Sequence, residues 1–347
     1  MRSLLRRTLL MPFWLAQVGT QEKFFARNPV IGSRRLNERG LHTARVRIAH
    51  RLATTRRRRL ASRLPAEDRQ VLDRDGFIVK RDFLPPGLFA ELVAEVRALR
   101  APAREMLEGD TITRHIALDP SVLRQVPAAR RLIDMPLYRD LIFYAGAAAA
   151  APMIYIQTIL SGARDGPPDP QTDLHTDTFH PTVKAWLFLS DVDAEAMPFV
   201  YVPGSHRLTP QRLAWERRMS IAASTADNYR QPDQRLIRSI SPETIAALGL
   251  PPPQAIPVPA NTLVVADTYG FHARGASILP TLRVEIWAFG RRNPFLPWAG
   301  FDPWSIPALG LRKPLMHWKS LDILARLGLG RQRWHPRASV SAFDPAA

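Results

Sequence analysis

Apolar residues recur along the chain at two different spacings, and the change between them divides it. Leu88, Leu92, Val96 and Leu99 are three or four residues apart, the spacing of one helical face. Ahead of them, Gln70–Leu84 reads as a helix, a turn at Gly76, a short strand at Phe77–Val79 and a loop ending in Pro85 and Pro86. A less regular helical region covers Ser121–Ala151 and ends in the alanine-rich run Ala145–Ala151. From Met153 the pattern becomes extended. Strands are predicted at Met153–Leu160, Val183–Ser190, Phe199–Val202, Leu263–Ala266 and Arg283–Gly290, with proline- and glycine-containing loops between them. The long insertion Leu208–Leu248, which carries Trp215, Arg217 and Arg218, is expected to be helical in parts. Helices followed by short strands predict a mainly β protein with flanking helices (α+β), built as a sandwich or jelly roll.

Composition adds boundaries. The chain has 347 residues and no cysteine, which excludes disulfides, thiolate zinc sites and cysteine nucleophiles and fits a cytoplasmic protein. Its net charge of +17 is uneven: residues 1–63 carry +14, residues 291–347 carry +6, and residues 64–290 sum to −3. Three segments follow: a basic, partly helical extension (1–63), a central module (64–290) and a basic, aromatic-rich extension (291–347). An anionic partner should meet the ends. No apolar run reaches 18 residues, so no membrane-spanning helix is expected. Met1–Gly19 has the arginines of a signal peptide, but Pro12 interrupts its apolar part and no cleavage site follows. Phe13, Trp14, Phe24 and Phe25 lie among arginines, and Arg56–Arg59 form a run. A poorly ordered tail or solvated helix face fits this extension; so does an interfacial segment at an anionic membrane.

The chemistry concentrates in Asp173-Leu174-His175-Thr176-Asp177-Thr178-Phe179-His180. Residues two apart on an extended segment point the same way, so His175 and Asp177 can offer an imidazole and a carboxylate to one metal. A second histidine from a distant strand would complete a two-histidine, one-carboxylate set with three open positions, the arrangement of non-haem iron oxygenases. Alone, H-x-D is a common tripeptide and carries little.

Its neighbours carry more. Trp186-Leu187-Phe188-Leu189-Ser190-Asp191 follows it, then Val202-Pro203-Gly204-Ser205-His206. Asp267-Thr268-Tyr269-Gly270-Phe271-His272 comes later, with Arg283 beyond it, and Asp75-Gly76-Phe77-Ile78-Val79 stands ahead of all. Over residues 70–290 this ensemble resembles the phytanoyl-CoA dioxygenase family. The resemblance implies a double-stranded β-helix (a cupin-like jelly roll) that uses iron(II), 2-oxoglutarate and O2, with ascorbate as a stimulant, to hydroxylate an unactivated C–H bond. It implies that His175, Asp177 and His272 hold the metal and that Arg283 grips the far carboxylate of 2-oxoglutarate. Trp186 matches a tryptophan lining the co-substrate pocket, and Gln157 faces the same interior in the strand reading. Ala196-Met197 stand where the family commonly has Asn-Gly, and Ala276-Ser277 where it has Asn-Ser; neither change removes a ligand. Halogenases of this class lack the carboxylate, so Asp177 favours hydroxylation or a related oxidation.

Other readings of the same residues stay open. His180 competes with His175, but its five-residue offset turns it away, beside the ligands or toward substrate. His206 reads as a turn cap. Arg283 could simply pair with Glu285 on the same strand face. Phe295, Trp298, Phe301, Trp304 and Trp318 either pack the C-terminal extension onto the module or, with the basic N-terminus, face an anionic lipid, an acyl thioester or a phosphorylated glycolipid. A non-catalytic jelly roll whose basic ends bind nucleic acid or membrane is the alternative, though no nucleic-acid signature is present.

Overall fold

The structure, a computed structural model, describes residues 2–224 and 240–346. Eight strands form one antiparallel sheet in the order β1-β8-β5-β10-β4-β3-β2-β11. They are β1 (Phe77–Lys80), β2 (Ala101–Glu108), β3 (Thr111–Ala117), β4 (Met153–Leu160), β5 (Val183–Phe188), β8 (Leu263–Asp267), β10 (Leu282–Gly290) and β11 (His335–Val340). A smaller antiparallel sheet, β7-β6-β9, comprises β6 (Phe199–Tyr201), β7 (Gln254–Ile256) and β9 (His272–Arg274).

Alternation along the central strands separates two environments. Val183, Ala185 and Leu187 of β5, with Val284, Ile286 and Ala288 of β10, enter the main core. That core is shared with α4 (Ala66–Asp75), α5 (Pro86–Ala98), α7 (Pro127–Asp134) and α8 (Pro136–Ala145). The intervening residues face the smaller sheet. There Trp186 and Phe188 pack with Phe199 and Tyr201 in a second cluster, while Lys184, Arg283 and Trp287 line a cavity.

The predicted strands and the α5 helix appear within a residue or two of their expected ends. The Ser121–Ala151 region differs. Pro127 and Pro136 each open a new helix, where a missing N–H costs nothing, so the region breaks into α6 (Val122–Gln125), α7 and α8. The alanine run is not helical past Ala145, because Ala147 takes a left-handed backbone with φ of 51°. The β2–β3 hairpin and β11 lie outside the expected strands; Pro102, Pro336 and interspersed charges hid them. Residues 225–239 of the predicted insertion lie outside the described residues.

The basic N-terminal extension is structured rather than a tail. It contains α1 (Arg2–Val18), α2 (Arg34–Glu38) and α3 (Leu41–Leu60), and α3 buries Val46, Ala49, Ala53 and Leu60. Two of its arginines are buried on backbone carbonyls. Arg45 donates to Val18, Thr20 and Glu22 at 2.7–3.0 Å; Arg56 donates to Ala147, Pro294 and Leu296 at 2.6–3.0 Å. Burial lowers both to about 10, so they stay charged at neutral pH. Arg45 braces the N-terminal extension internally, whereas Arg56 ties it to the module at Ala147 and to the C-terminal extension at Pro294 and Leu296. There Trp318 packs on Tyr155, and β11 pairs with β2.

Helix α9 (Pro210–Ala223) supplies a buried charged network beneath the second sheet. Glu216 accepts from Arg212 at 3.2 Å and from the Tyr269 hydroxyl at 3.1 Å, and contacts His42 Nε2 at 3.0 Å. Burial opposes its charge, but His42 and Arg212 hold its pKa down at about 2, from 4.5. A carboxyl lowered on folding adds stability above its unfolded pKa and loses it as pH falls toward the folded one. Replacing Glu216 with Gln should therefore cost about 3 kcal/mol at neutral pH. In denaturant titrations, that gap from wild type should narrow below about pH 4.5; a gap constant down to pH 3 would contradict the network.

Candidate metal centre

Two backbone hydrogen bonds create the site. His175 N–H donates to His272 O at 2.9 Å and His272 N–H donates to His175 O at 3.0 Å, an antiparallel bridge that sets the rings 4.4 Å apart. Adjacent bonds hold the two segments together: Asp177 N–H to Thr268 O, and the Thr176 hydroxyl to Tyr269 O. Behind them Ser205 of the P-G-S-H segment accepts the Phe271 N–H at 2.8 Å, and a Cβ on Gly270 would collide with the Tyr201 hydroxyl. The Gly270 carbonyl is thereby fixed where His272 needs it.

Both imidazoles are oriented by carbonyls. His175 Nδ1 lies 2.8 Å from Asp173 O and His272 Nδ1 lies 2.9 Å from Gly270 O. With Nδ1–H donating, each Nε2 presents a lone pair inward, the support that metal-bound histidines ordinarily receive. One ligand atom each from His175, Asp177 and His272 lies within 4.8 Å of the others, and no other such group of three occurs among the described residues. Burial lowers His175 well below the usual imidazole range and His272 to about 4, so both are neutral at pH 7. Burial opposes charge on Asp177, but Lys184 chiefly holds its carboxyl ionised, well below the ordinary value. Two neutral imidazoles and a carboxylate are the donor forms a divalent transition metal takes. The residues fit.

Lys184 is the residue that the sequence reading missed. Its Nζ lies 3.0 and 2.9 Å from the two Asp177 oxygens and 3.3 Å from His272 Nε2. It shares the β5 face with Trp186, so its direction was legible, but its contact with a ligand pair was not. An ammonium there neutralises the carboxylate as a bound cation would.

The cavity above has a volume of about 600 Å³. Trp186 and Gln157 both line it. Gln157 donates to Glu285 at 2.5 Å and its Oε1 lies 2.6 Å from His115 Nε2. Arg283 lines it too and pairs with Glu285 at 2.8 Å while donating to Met197 O. The same-strand pairing is thus present, within the cavity wall. Met197 holds φ of 54° where the resembled family commonly has glycine, and its carbonyl meets Arg283 in that conformation. His180 is buried against Pro181 O, and His206 lies beside Gly76; neither joins the ligands.

The extensions contribute to this cavity. Lys23 and Phe24 line it from the N-terminal side, Arg291, His317 and Trp334 from the C-terminal side. Lys23 donates to Asp177 O, and Arg291 approaches the same carbonyl at 3.5 Å. Arg274, paired with Asp169, is a further wall residue. Opposite charges are fewer: Glu108 and Asp177. Two cations of the extensions, Lys23 and Arg291, therefore sit at this central cavity. His115 stacks between Trp334, Tyr155 and Trp287 at 4.4–5.1 Å, giving one aromatic wall.

Comparison with known proteins agrees with the residue pattern. Residues 72–240 match the family model described as phytanoyl-CoA dioxygenase; that span includes His175 and Asp177 and ends before His272 and Arg283. No curated protein matches the chain. Among solved structures, the chain is similar to the non-heme alpha ketoglutarate dependent epimerase SnoN from nogalamycin biosynthesis. That likeness has 20% identity and a TM-score of 0.42 and covers 64% of this chain and 81% of that one. EvdO2 from Micromonospora carbonacea var. aurantiaca, complexed with 2-oxoglutarate, gives 17%, 0.41, 70% and 96%. HygX from Streptomyces hygroscopicus, with nickel, 2-oxoglutarate and hygromycin B bound, gives 17%, 0.36, 65% and 86%.

A divalent metal must displace Lys184 from Asp177. Lys184→Met should tighten iron(II) binding in anaerobic titration by about tenfold or more, equivalent to about 1.4 kcal/mol, while His272→Ala should abolish it. Weaker binding in Lys184→Met would mean that the ammonium assists the metal rather than competing with it.

Proposed function

We propose that this chain, a phytanoyl-CoA dioxygenase family protein over residues 72–240, is an iron(II)- and 2-oxoglutarate-dependent dioxygenase hydroxylating an unactivated C–H bond. The observation that carries this reading is the convergence of His175, Asp177 and His272 in a cavity that Arg283 also lines. We read the two-sheet sandwich as a double-stranded β-helix, with basic extensions at residues 1–63 and 291–347 around the dioxygenase domain at 64–290.

His175, Asp177 and His272 would hold iron(II), leaving positions for the keto acid and oxygen. Bound there, the metal supplies oxidation of a C–H bond, driven by decarboxylation of 2-oxoglutarate to succinate. The protein's residues do the rest. The Asp173 and Gly270 carbonyls keep the imidazole nitrogens aimed. Arg283 would donate two parallel hydrogen bonds to the distant carboxylate, a task suited to a planar, permanently charged group. Glu285 holds that guanidinium in the wall and shares it when the carboxylate arrives. Trp186 and Gln157 complete the co-substrate side.

The rest of the cavity supports a small-molecule substrate with an anionic group and an apolar body, such as a lipid or acyl thioester. Trp287, Phe289 and Trp334 offer apolar surface and exclude water; Lys23, Arg274 and Arg291 offer positive charge. A volume of about 600 Å³ suits such a molecule. Peripheral contact with an anionic membrane is the second part of the reading. Leu9, Phe13 and Leu15 of α1 stand 55–72% exposed. No helix of the described residues is long and apolar enough to cross a membrane. Nucleic acid is not among the proposed partners.

With iron(II) and ascorbate, the protein should release succinate from 2-oxoglutarate even without substrate. Arg283→Met should raise the KM for 2-oxoglutarate about tenfold or more, the value of a charge-assisted pair. Wild-type turnover by Asp177→Ala would defeat the reading. Separately, the protein should pellet with phosphatidylglycerol vesicles and the double variant Leu9→Asp, Phe13→Asp should not. Equal pelleting would remove the membrane contact while leaving the enzyme reading untouched.

A further inference from the structure

A second cavity, of about 730 Å³, lies outside the metal centre, between α3 and the segment His206–Leu208. Its composition follows from helical spacing. Arg47, Arg51, Thr54 and Arg58 are separated by four, three and four residues, so they share one face of α3 and all four line the cavity. Arg207 stands across from them on the chain just after the P-G-S-H turn. Helix α3 has no acidic residue, and the cavity's single carboxylate, Asp73, already accepts the Tyr144 hydroxyl at 2.9–3.0 Å.

The arginines of this helix divide into two groups. Arg45, Arg56 and Arg59 donate to backbone carbonyls, and Arg57 pairs with the buried Asp267 at 2.6 Å. Their charges are spoken for by the fold. Arg47, Arg51 and Arg58 are exposed, and their guanidiniums have no hydrogen-bond or ion-pair partner among the described residues. The favourable field at a helix C-terminus accounts for basic residues in the last turn, hence for Arg58, but it fades within that turn. It gives no reason for Arg47 and Arg51, whose four-residue spacing sets like charges against each other. At the wall, His50 is packed edge-on against Tyr269 at 4.4 Å, and its buried Nε2 has no hydrogen-bond partner. A cation-lined concavity with unused guanidiniums is suited to an anion carrying several charges close together, because each planar fork can bond two oxygens at once.

We propose that this α3 cavity is a binding site for clustered phosphates, on a small molecule or on a lipid headgroup, held chiefly by Arg47, Arg51, Arg58 and Arg207. The site is independent of the reaction performed at the metal centre. Arg57 stays with Asp267 and forms its inner edge.

The probe is inorganic tripolyphosphate, titrated calorimetrically into the metal-free full chain at physiological ionic strength, with sulfate as the comparison. One site should bind tripolyphosphate at least tenfold more tightly than sulfate. The triple variant Arg47→Ala, Arg51→Ala, Arg58→Ala changes only exposed side chains and should weaken this binding at least tenfold. Arg283→Met, which removes a cation of the other cavity, should leave it unchanged. A parallel arm uses phosphatidylcholine vesicles with and without a phosphatidylinositol bisphosphate. Retention only on the latter, lost in the triple variant, assigns the phosphates to a lipid; tripolyphosphate binding without retention assigns them to a free molecule. Absence of both, or binding that the triple variant leaves intact, overturns the proposal.

Discussion

Everything at the metal centre depends on the reciprocal backbone bridge between His175 and His272. Side chains from segments far apart in sequence can meet one ion only if their main chains are fixed side by side, and these two bonds do so. The surrounding structure defends the bridge. Thr176 and Asp177 bond the 268–269 turn, Ser205 bonds Phe271, and Tyr269 leans on the Arg212–Glu216–His42 network from below. The insertion that carries α9 therefore has a structural consequence for the metal loop, because its buried charges support the turn leading to His272.

Electrostatics gives the site its second character. A buried carboxylate needs a compensating charge, and Asp177 has Lys184 within 3.0 Å. Arg283 has Glu285 in the same way. Asp177 is thus held ionised by a neighbour that a bound cation would have to displace, and Arg283 is held in the cavity wall by one that an incoming carboxylate would have to share. In the N-terminal extension, Arg45 and Arg56 are buried and donate to main-chain carbonyls. Part of the basic charge consequently serves the fold.

The meeting of His175, Asp177 and His272, and the lining of one cavity by Trp186, Gln157 and Arg283, were legible because strand alternation fixes which side chains share a face, and the family resemblance ordered them along the chain. The Arg283–Glu285 pair was visible for the same reason. Lys184 and Arg274 lie one or two residues from marked positions, yet their roles depend on distances that alternation does not supply. Lys23, Arg291 and Trp334 were beyond reach, since they enter through packing of two extensions whose composition resembles solvated tails. The β2–β3 hairpin was masked by Pro102 and by charges that become cavity-facing or edge-facing once β11 covers it. The Ser121–Ala151 region misled through alanine, whose helix preference yields to two prolines and to the left-handed Ala147.

The central claim is that three side chains converge on one iron ion. Crystals grown anaerobically with iron(II), measured on both sides of the iron absorption edge, test it most directly. A single anomalous peak is expected within bonding distance of His175 Nε2, His272 Nε2 and an Asp177 oxygen, with the Lys184 ammonium moved off that position. An iron-loaded crystal with no peak there, and Lys184 still seated on Asp177, would contradict it.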